Sequence, residues 1–163
     1  PGTNFPSHCD RNKTPGIDMT TGSLGQGTSL AVGMALGDRL KGRDSRTFLI
    51  VGDGELNEGQ VWEAAMLAAS RGLSNMIWFV DDNKKQLDGC CCDVVKNFDI
   101  ERKFAAFGFH AQTVPGGDIA ALWMANIENL DVSAQSTGGS KANIILINDG
   151  EAELATEGDW PLP

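Results

Sequence analysis

Two short apolar runs constrain this chain more than any other feature. Residues 47–51 (TFLIV) end in Gly52-Asp53-Gly54, and residues 75–80 (NMIWFV) end in Asp81-Asp82-Asn83. Neither run alternates apolar with polar, so each reads as a strand buried on both faces, as in a parallel sheet. Between them, residues 58–71 have helical spacing. Val61, Ala64, Ala65 and Ala68, flanked by Trp62, Met66 and Ala69, form a broad apolar face, and Gly72 is a natural stop. A right-handed crossover through that helix joins the two strands.

The remaining segments fit the same scheme. Residues 28–40 predict an Ala-, Met- and Leu-rich helix introduced by the glycine-rich stretch 22–27. Residues 99–107 predict a short helix with Asp99 as N-cap and Gly108 as its end. A third strand is expected over residues 109–114, which would give His110 a structural place. A helix over 118–130 and a fourth strand over 143–148 (NIILIN) follow, with a polar loop at 133–141. The expectation is an α/β chain with a mostly parallel sheet covered by helices on both faces. One domain spans residues 1–148, and residues 149–163 form an acidic tail.

Charge and cysteine usage narrow the partners. The formal net charge is −9, with no basic stripe, which argues against nucleic acid. No apolar run approaches the roughly 20 residues of a membrane span, and the first residues lack a signal-peptide pattern. Cys90, Cys91 and Cys92 are consecutive and Cys9 stands apart, a spacing unlike paired zinc ligands. Reduced thiols in a cytoplasmic loop are the expectation.

The chemistry concentrates at Asp53 and Asn83. Each follows closely on a predicted strand, so both emerge at the carboxyl edge, where open α/β sheets bind ligands. A carboxylate and an amide oxygen are hard donors suited to Mg²⁺ or Ca²⁺. Gly52 and Gly54, lacking Cβ atoms, let the backbone approach a phosphate closely. An acidic protein that binds a diphosphate must neutralise it locally, and a metal ion does that. A glycine-flanked Asp alone better suits a plain strand-to-helix turn; the Asn at the matching edge favours a metal–diphosphate clamp.

With those positions in place, GDGELNEGQVWEAAMLAA followed by FVDDNKKQLDG resembles the thiamine-diphosphate motif of transketolases. TTGSLGQG and DIERKFAAFGFH resemble further segments of that family, so the likeness runs from His8 to Asn148. The lead-in HCDRNKTPGIDM looks most like the split type, whose halves are separate polypeptides. The resemblance implies a three-layer thiamine-diphosphate-binding fold and two-carbon ketol transfer between phosphosugars.

Residue by residue, the resemblance implies that the Asp53 and Asn83 side chains and the Lys85 backbone carbonyl ligate the metal. Gly54 and Asn83 would contact the diphosphate, and Gly22, Ser23 and Leu24 would line the cofactor through their backbone. Leu87 would pack on the thiazolium ring. Glu58 would lie in a carboxylate network at a dimer interface, and His8 would bond the donor sugar's hydroxyls. Plainer roles stand beside these: Glu58 as a first-turn residue favoured by the helix dipole, His8 as a surface histidine, Leu87 as core, and the Lys85 side chain as a solvated charge.

Three departures from the family matter. Its earlier histidine-bearing segment is missing. The run after residue 147 reads Asn148-Asp149-Gly150-Glu151 instead of the family's Lys- and Gly-rich continuation. The pyrimidine-binding domain, which carries the activating glutamate, is absent. The chain is therefore expected to be incomplete at both ends and inactive alone, needing a pyrimidine-binding (C-terminal) subunit within a homo- or hetero-oligomer. A non-catalytic binding or assembly fragment is the rival reading. The E1 component of a 2-oxoacid dehydrogenase shares the GDG…N motif, but TTGSLGQG argues against it.

Overall fold

The structure, a computed structural model, describes residue 6 and residues 8–116. The chain divides into two compact units, residues 1–113 and 114–163, and every element below belongs to the first. The helix expected over 118–130, the loop at 133–141, the strand over 143–148 and the boundary at 148 lie outside the described residues.

The two apolar runs form a parallel pair, β1 (Thr47–Gly52) and β2 (Met76–Asp81), with Thr47 opposite Met76 and Gly52 opposite Asp81. Helix α1 (Gln26–Leu40) precedes β1, and α2 (Gly59–Ser70) connects the strands after a 3-10 turn over Glu55–Asn57. A small hairpin follows, β3 (Lys85–Gln86) against β4 (Gly89–Cys90), then a single-turn helix α3 (Cys91–Val94) and α4 (Ile100–Phe107). The hairpin, α3 and the 3-10 turn have too short a pattern to show in the sequence.

Helix α1 packs against both α2 and β1, because small residues on both helices permit close approach. Ala31 of α1, Leu49 and Val51 of β1, Leu56, Val61 and Ala65 of α2's approach and first turns, and Phe104 of α4 make one buried cluster. Val32, Ala35, Ala64, Ala68 and Leu73 make a second. The centre of the predicted apolar face of α2, Val61, Ala64, Ala65 and Ala68, is thus the buried one, whereas Met66 at its margin is 55% exposed. Truncating a residue as enclosed as Leu56, 2% exposed, removes contacts worth about 2–5 kcal/mol.

Helix ends are tied by specific groups. Arg39, near the end of α1, donates to the carbonyls of Arg71 and Gly72 at 2.5 and 2.9 Å, tying down the C-terminus of α2. Helix α4 has the expected cap, the Asp99 carboxylate accepting Arg102 N–H at 2.9 Å, and ends at Gly108 with φ 100°.

Two expectations are corrected. Residues 109–114 form no strand; Phe109 and Ala111 pack on the aromatic cluster through their side chains, and no ladder partner is found among the described residues. His110 is consequently exposed rather than structural. The β1 strand is buried on one face only: Thr47, Leu49 and Val51 lie under the helices, whereas Ile50 is 47% exposed. The described residues supply helices over that one face, and a third covering layer is not among them.

Candidate functional site

The strand register brings the two predicted loops together. Gly52 and Asp81 are paired, and the next backbone bond, Asp53 N–H to the Asp81 carbonyl at 3.1 Å, carries the alignment one residue past the sheet. Asp53 and Asn83 therefore leave adjacent parallel strands at the same carboxyl edge.

Asp53 is 1% exposed. Its Oδ1 accepts the Gly54 N–H at 3.1 Å; its buried Oδ2 has no donor at full hydrogen-bond distance, and the one nearby candidate, the Cys91 thiol, is a weak donor. An unsatisfied buried carboxylate oxygen is costly, and a cation is the partner that most fully compensates it. The residues present fit a divalent metal on this ground. Asn83 is exposed; its Oδ1 accepts Lys85 N–H at 2.8 Å and its Nδ2 donates to Asp81 at 3.0 Å. An amide oxygen has two lone pairs, so one remains for a metal. Between Asn83 and Lys85, Lys84 has φ 63°, a conformation that turns the chain sharply enough to set the Asn83 amide and the Lys85 peptide on one loop. The Lys84 ammonium pairs with Asp82, which raises its pKa, with smaller help from Asp53.

Several groups that the sequence does not single out hold Asp53 in place. The Asn97 side-chain amide donates to the Asp53 backbone carbonyl at 2.6 Å, a link between residues 44 apart. The following residue, Phe98, has φ 54°; it and Lys84 are the described non-glycine residues with positive φ, and both flank this site. A Cβ on Gly54 would lie 2.7 Å from the Gln86 Cβ, so only glycine lets the β3–β4 hairpin close over this corner. Gln86 also accepts from Asn57 at 3.0 Å. No motif in the sequence marks Asn97; the GDGE run contains Glu55 but does not reveal its partner.

That partner is Gly25. Glu55 Oε1 accepts the Gly25 N–H at 2.8 Å, joining the glycine-rich loop to the Asp53 loop. Gly25 has φ 80° and serves as the N-cap of α1. Gln26, Gln60 and Ser29 continue the connection through side-chain bonds of 2.9 and 2.7 Å. Gly22, Ser23 and Leu24 are exposed in the loop just before this joint. The His8 imidazole lies against Gly22, where a Cβ would collide with it, so His8 and the loop at residues 22–24 are neighbours.

Glu58 and Leu87 are also exposed. Glu58 is the N-cap residue of α2, and its Cβ lies 3.1 Å from where a Cβ on Gly25 would sit. Leu87 is 101% exposed at the turn between β3 and β4, which removes the reading of it as core. Burial first, and then the nearby Asp53 carboxylate, hold the Cys91 thiol above its ordinary range. Cys90 and Cys92 differ from the expectation of reduced thiols: their sulfurs are bonded, with Cα atoms 5.2 Å apart.

Comparison with known proteins agrees with this geometry. Residues 2–137 match the family model described as transketolase, thiamine diphosphate binding domain. The chain is 45% identical over 148 residues to the 6-deoxy-6-sulfo-D-fructose transketolase subunit SqwG of Clostridium sp. (strain MSTE9), covering 91% of this chain and 52% of that protein. It is 36% identical over 144 residues to an apulose-4-phosphate transketolase subunit of Actinobacillus succinogenes, covering 88% and 50%. The chain thus spans about half the length of these relatives. Among solved structures, a transketolase mutant from Pichia stipitis superposes with TM-score 0.59 at 36% identity, covering 67% of this chain and 18% of that one. Transketolase from Campylobacter jejuni gives 0.58 at 30% identity, covering 66% and 18%.

Proposed function

This chain belongs to the transketolase family, as its thiamine diphosphate binding domain, and from that premise we propose that it supplies the diphosphate and metal end of a two-subunit ketol transferase. The observation that carries the proposal is the buried Oδ2 of Asp53, unpartnered at the carboxyl edge beside Asn83. Asp53, the Asn83 amide oxygen and the Lys85 carbonyl would hold Mg²⁺ or Ca²⁺, and Gly54 and Asn83 would meet the diphosphate. Gly22, Ser23 and Leu24 would line the cofactor through their backbone. Leu87, exposed as it stands, would be covered by the thiazolium ring.

The bound cofactor supplies a stabilised carbanion for two-carbon transfer. The chain's own part is to bind and orient. The Asn97 and Glu55 bonds fix the two loops before the cofactor arrives, which lowers the ordering cost of binding. His8, which lies against the Gly22 loop, would bond hydroxyls of a donor sugar. Glu58 would join a carboxylate network across a subunit interface, where the 55% exposed Met66 of α2 would also be covered.

The partner proposed is a pyrimidine-binding subunit carrying the activating carboxylate, in a cytoplasmic hetero-oligomer. Two of the relatives are themselves called transketolase subunits. The substrates proposed are anionic sugars, phosphosugars first; the sulfonated sugar in one relative's name adds a second donor to try. General acid–base contributions of the type the partner would supply are worth roughly 10²–10⁴-fold each.

A coupled ketol-transfer assay with a ketose-phosphate donor and an aldose-phosphate acceptor tests this. Turnover should require cofactor, divalent metal and the partner subunit together. Steady turnover by this chain alone would overturn the two-subunit reading. Absence of turnover with the partner, alongside intact cofactor binding, would favour a non-catalytic binding fragment.

A further inference from the structure

The run of three cysteines has no part in the proposed ligand set, yet the structure builds it into the loop that carries one of those ligands. Lys85 of β3 pairs with Cys90 of β4, and Gln86 with Gly89. A ladder of two residues on each strand is marginal without other support. Three ties supply it: the Cys91 N–H bonds the Lys84 carbonyl at 3.1 Å, the Cys91 sulfur lies 3.8 Å from Gln86 Oε1, and Cys90 is bonded to Cys92. The Cys90–Cys92 bond closes around Cys91, the residue that grips both Lys84 and Gln86.

We propose that Cys90 and Cys92 are a reversible dithiol–disulfide site whose oxidation state sets the affinity of the neighbouring edge for a metal–diphosphate ligand. The inference rests on the function proposed above. The three cysteines differ in the way such a site requires. Cys91 is buried at 3% exposure, whereas Cys92 is exposed and Cys90 half-buried. Reagents reach Cys92 first. The bond spans only one intervening residue, so it restrains the unfolded chain little and acts on the local loop instead.

The chemistry is thiol–disulfide exchange with a small disulfide such as glutathione disulfide. The Cys92 thiolate attacks one sulfur of the oxidant, forming a mixed disulfide and expelling one glutathione thiolate. The Cys90 thiolate then attacks the Cys92 sulfur and expels the second glutathione. Two protein thiols are oxidised to one disulfide and one glutathione disulfide is reduced to two thiols. A dithiol reductant reverses the sequence. In the bonded state Cys91 is held inward and the Lys85 peptide stays in its ladder; reduction frees the turn and loosens that peptide.

Cys90, Cys92 and Asp93 also place their ligand atoms within 4.8 Å of one another. A thiophilic cation would therefore compete with oxidation, so the reduced samples are stripped of metal before Mg²⁺ is added.

The test uses the full chain in two states, treated with glutathione disulfide or with dithiothreitol, and the Cys90→Ser/Cys92→Ser double variant. Mass spectrometry of the peptide spanning residues 90–92 reads the loss of two hydrogens. Calorimetry reads Mg²⁺-dependent thiamine-diphosphate affinity in each state. The expected result is a reversible disulfide and about tenfold tighter binding when oxidised, within the roughly 5–150-fold range of coupled sites. The double variant should bind like the reduced chain and ignore the oxidant. A peptide that stays reduced, equal affinities in the two states, or a double variant that still responds would each overturn the proposal. Cofactor binding absent from both states would instead bring down the function proposed above, and the coupling with it.

Discussion

Glu55 Oε1 accepts the backbone N–H of Gly25 at 2.8 Å, so one carboxylate joins two loops 30 residues apart in sequence. The bond also places a negative charge at the start of α1, where the helix dipole favours it. Glu55→Gln keeps an acceptor oxygen, whereas Glu55→Ala leaves the buried Gly25 N–H unpaired. The alanine variant should lose about 1.5–3 kcal/mol in urea unfolding, as expected for a charge-assisted bond, and the glutamine variant clearly less. Equal losses would show that the bond is incidental.

In the function proposed above, Asp53 would serve the ligand at the expense of stability. Its unpartnered, buried Oδ2 opposes folding in the metal-free chain. Asp53→Asn should leave the thermal midpoint of the metal-free chain unchanged or raise it, by up to about 1 kcal/mol of stability. Adding Mg²⁺ with thiamine diphosphate should then raise the midpoint of the wild-type chain and not of the variant. A metal-free variant that unfolds far more easily would mean that the carboxylate has a structural partner.

Asn97 should matter to both folding and binding. Asn97→Ala removes the donor to the Asp53 carbonyl, at a cost of about 1–3 kcal/mol if that acceptor stays buried. It should also weaken cofactor affinity, because the Asp53 corner is less well held before binding. Asn97→Asp, which has the shape but no donor when ionised, should follow the alanine variant in chemical denaturation and calorimetry. An aspartate variant indistinguishable from wild type would exclude a role for the amide.

The Asp38 carboxyl lies below its ordinary pKa of 3.8, held there first by the Ser45 hydroxyl and then by Arg43. A folded-state pKa depressed in this way adds stability above the unfolded value and loses it as pH falls through the folded one. Asp38→Asn should therefore be less stable than wild type at neutral pH, and the difference should shrink below pH 3.8. Paired urea melts across that range measure it. A difference that stays constant with pH would contradict the assignment.

The parts of the fold visible in the sequence are those with a long period or a strong punctuation. The existence of α1, most of the buried face of α2, the two parallel strands and both ends of α4 follow from apolar spacing, Asp99 and Gly108. The edge position of Asp53 and Asn83 follows from strand ends alone. Residues 109–114 depart from the expected strand because Phe109 and Ala111 pack through their side chains, with no backbone ladder partner among the described residues. The β3–β4 hairpin was hidden by its length, and the bonds from Asn97 and Glu55 by their sequence separation. Long-range hydrogen bonds leave no local periodicity to read. The Cys90–Cys92 link was hidden for a different reason, since a run of cysteines gives no indication of which pair.

Above all, the Asp53 edge should bind thiamine diphosphate through a divalent metal. Calorimetric titration of thiamine diphosphate into the chain, with Mg²⁺ or with a chelator, for wild type and Asp53→Ala, tests this most directly. The prediction is saturable binding by the wild-type chain with Mg²⁺ only, and none by the folded variant in either condition. Wild-type binding that is unchanged by the chelator, or a variant that binds as tightly as wild type, would contradict it.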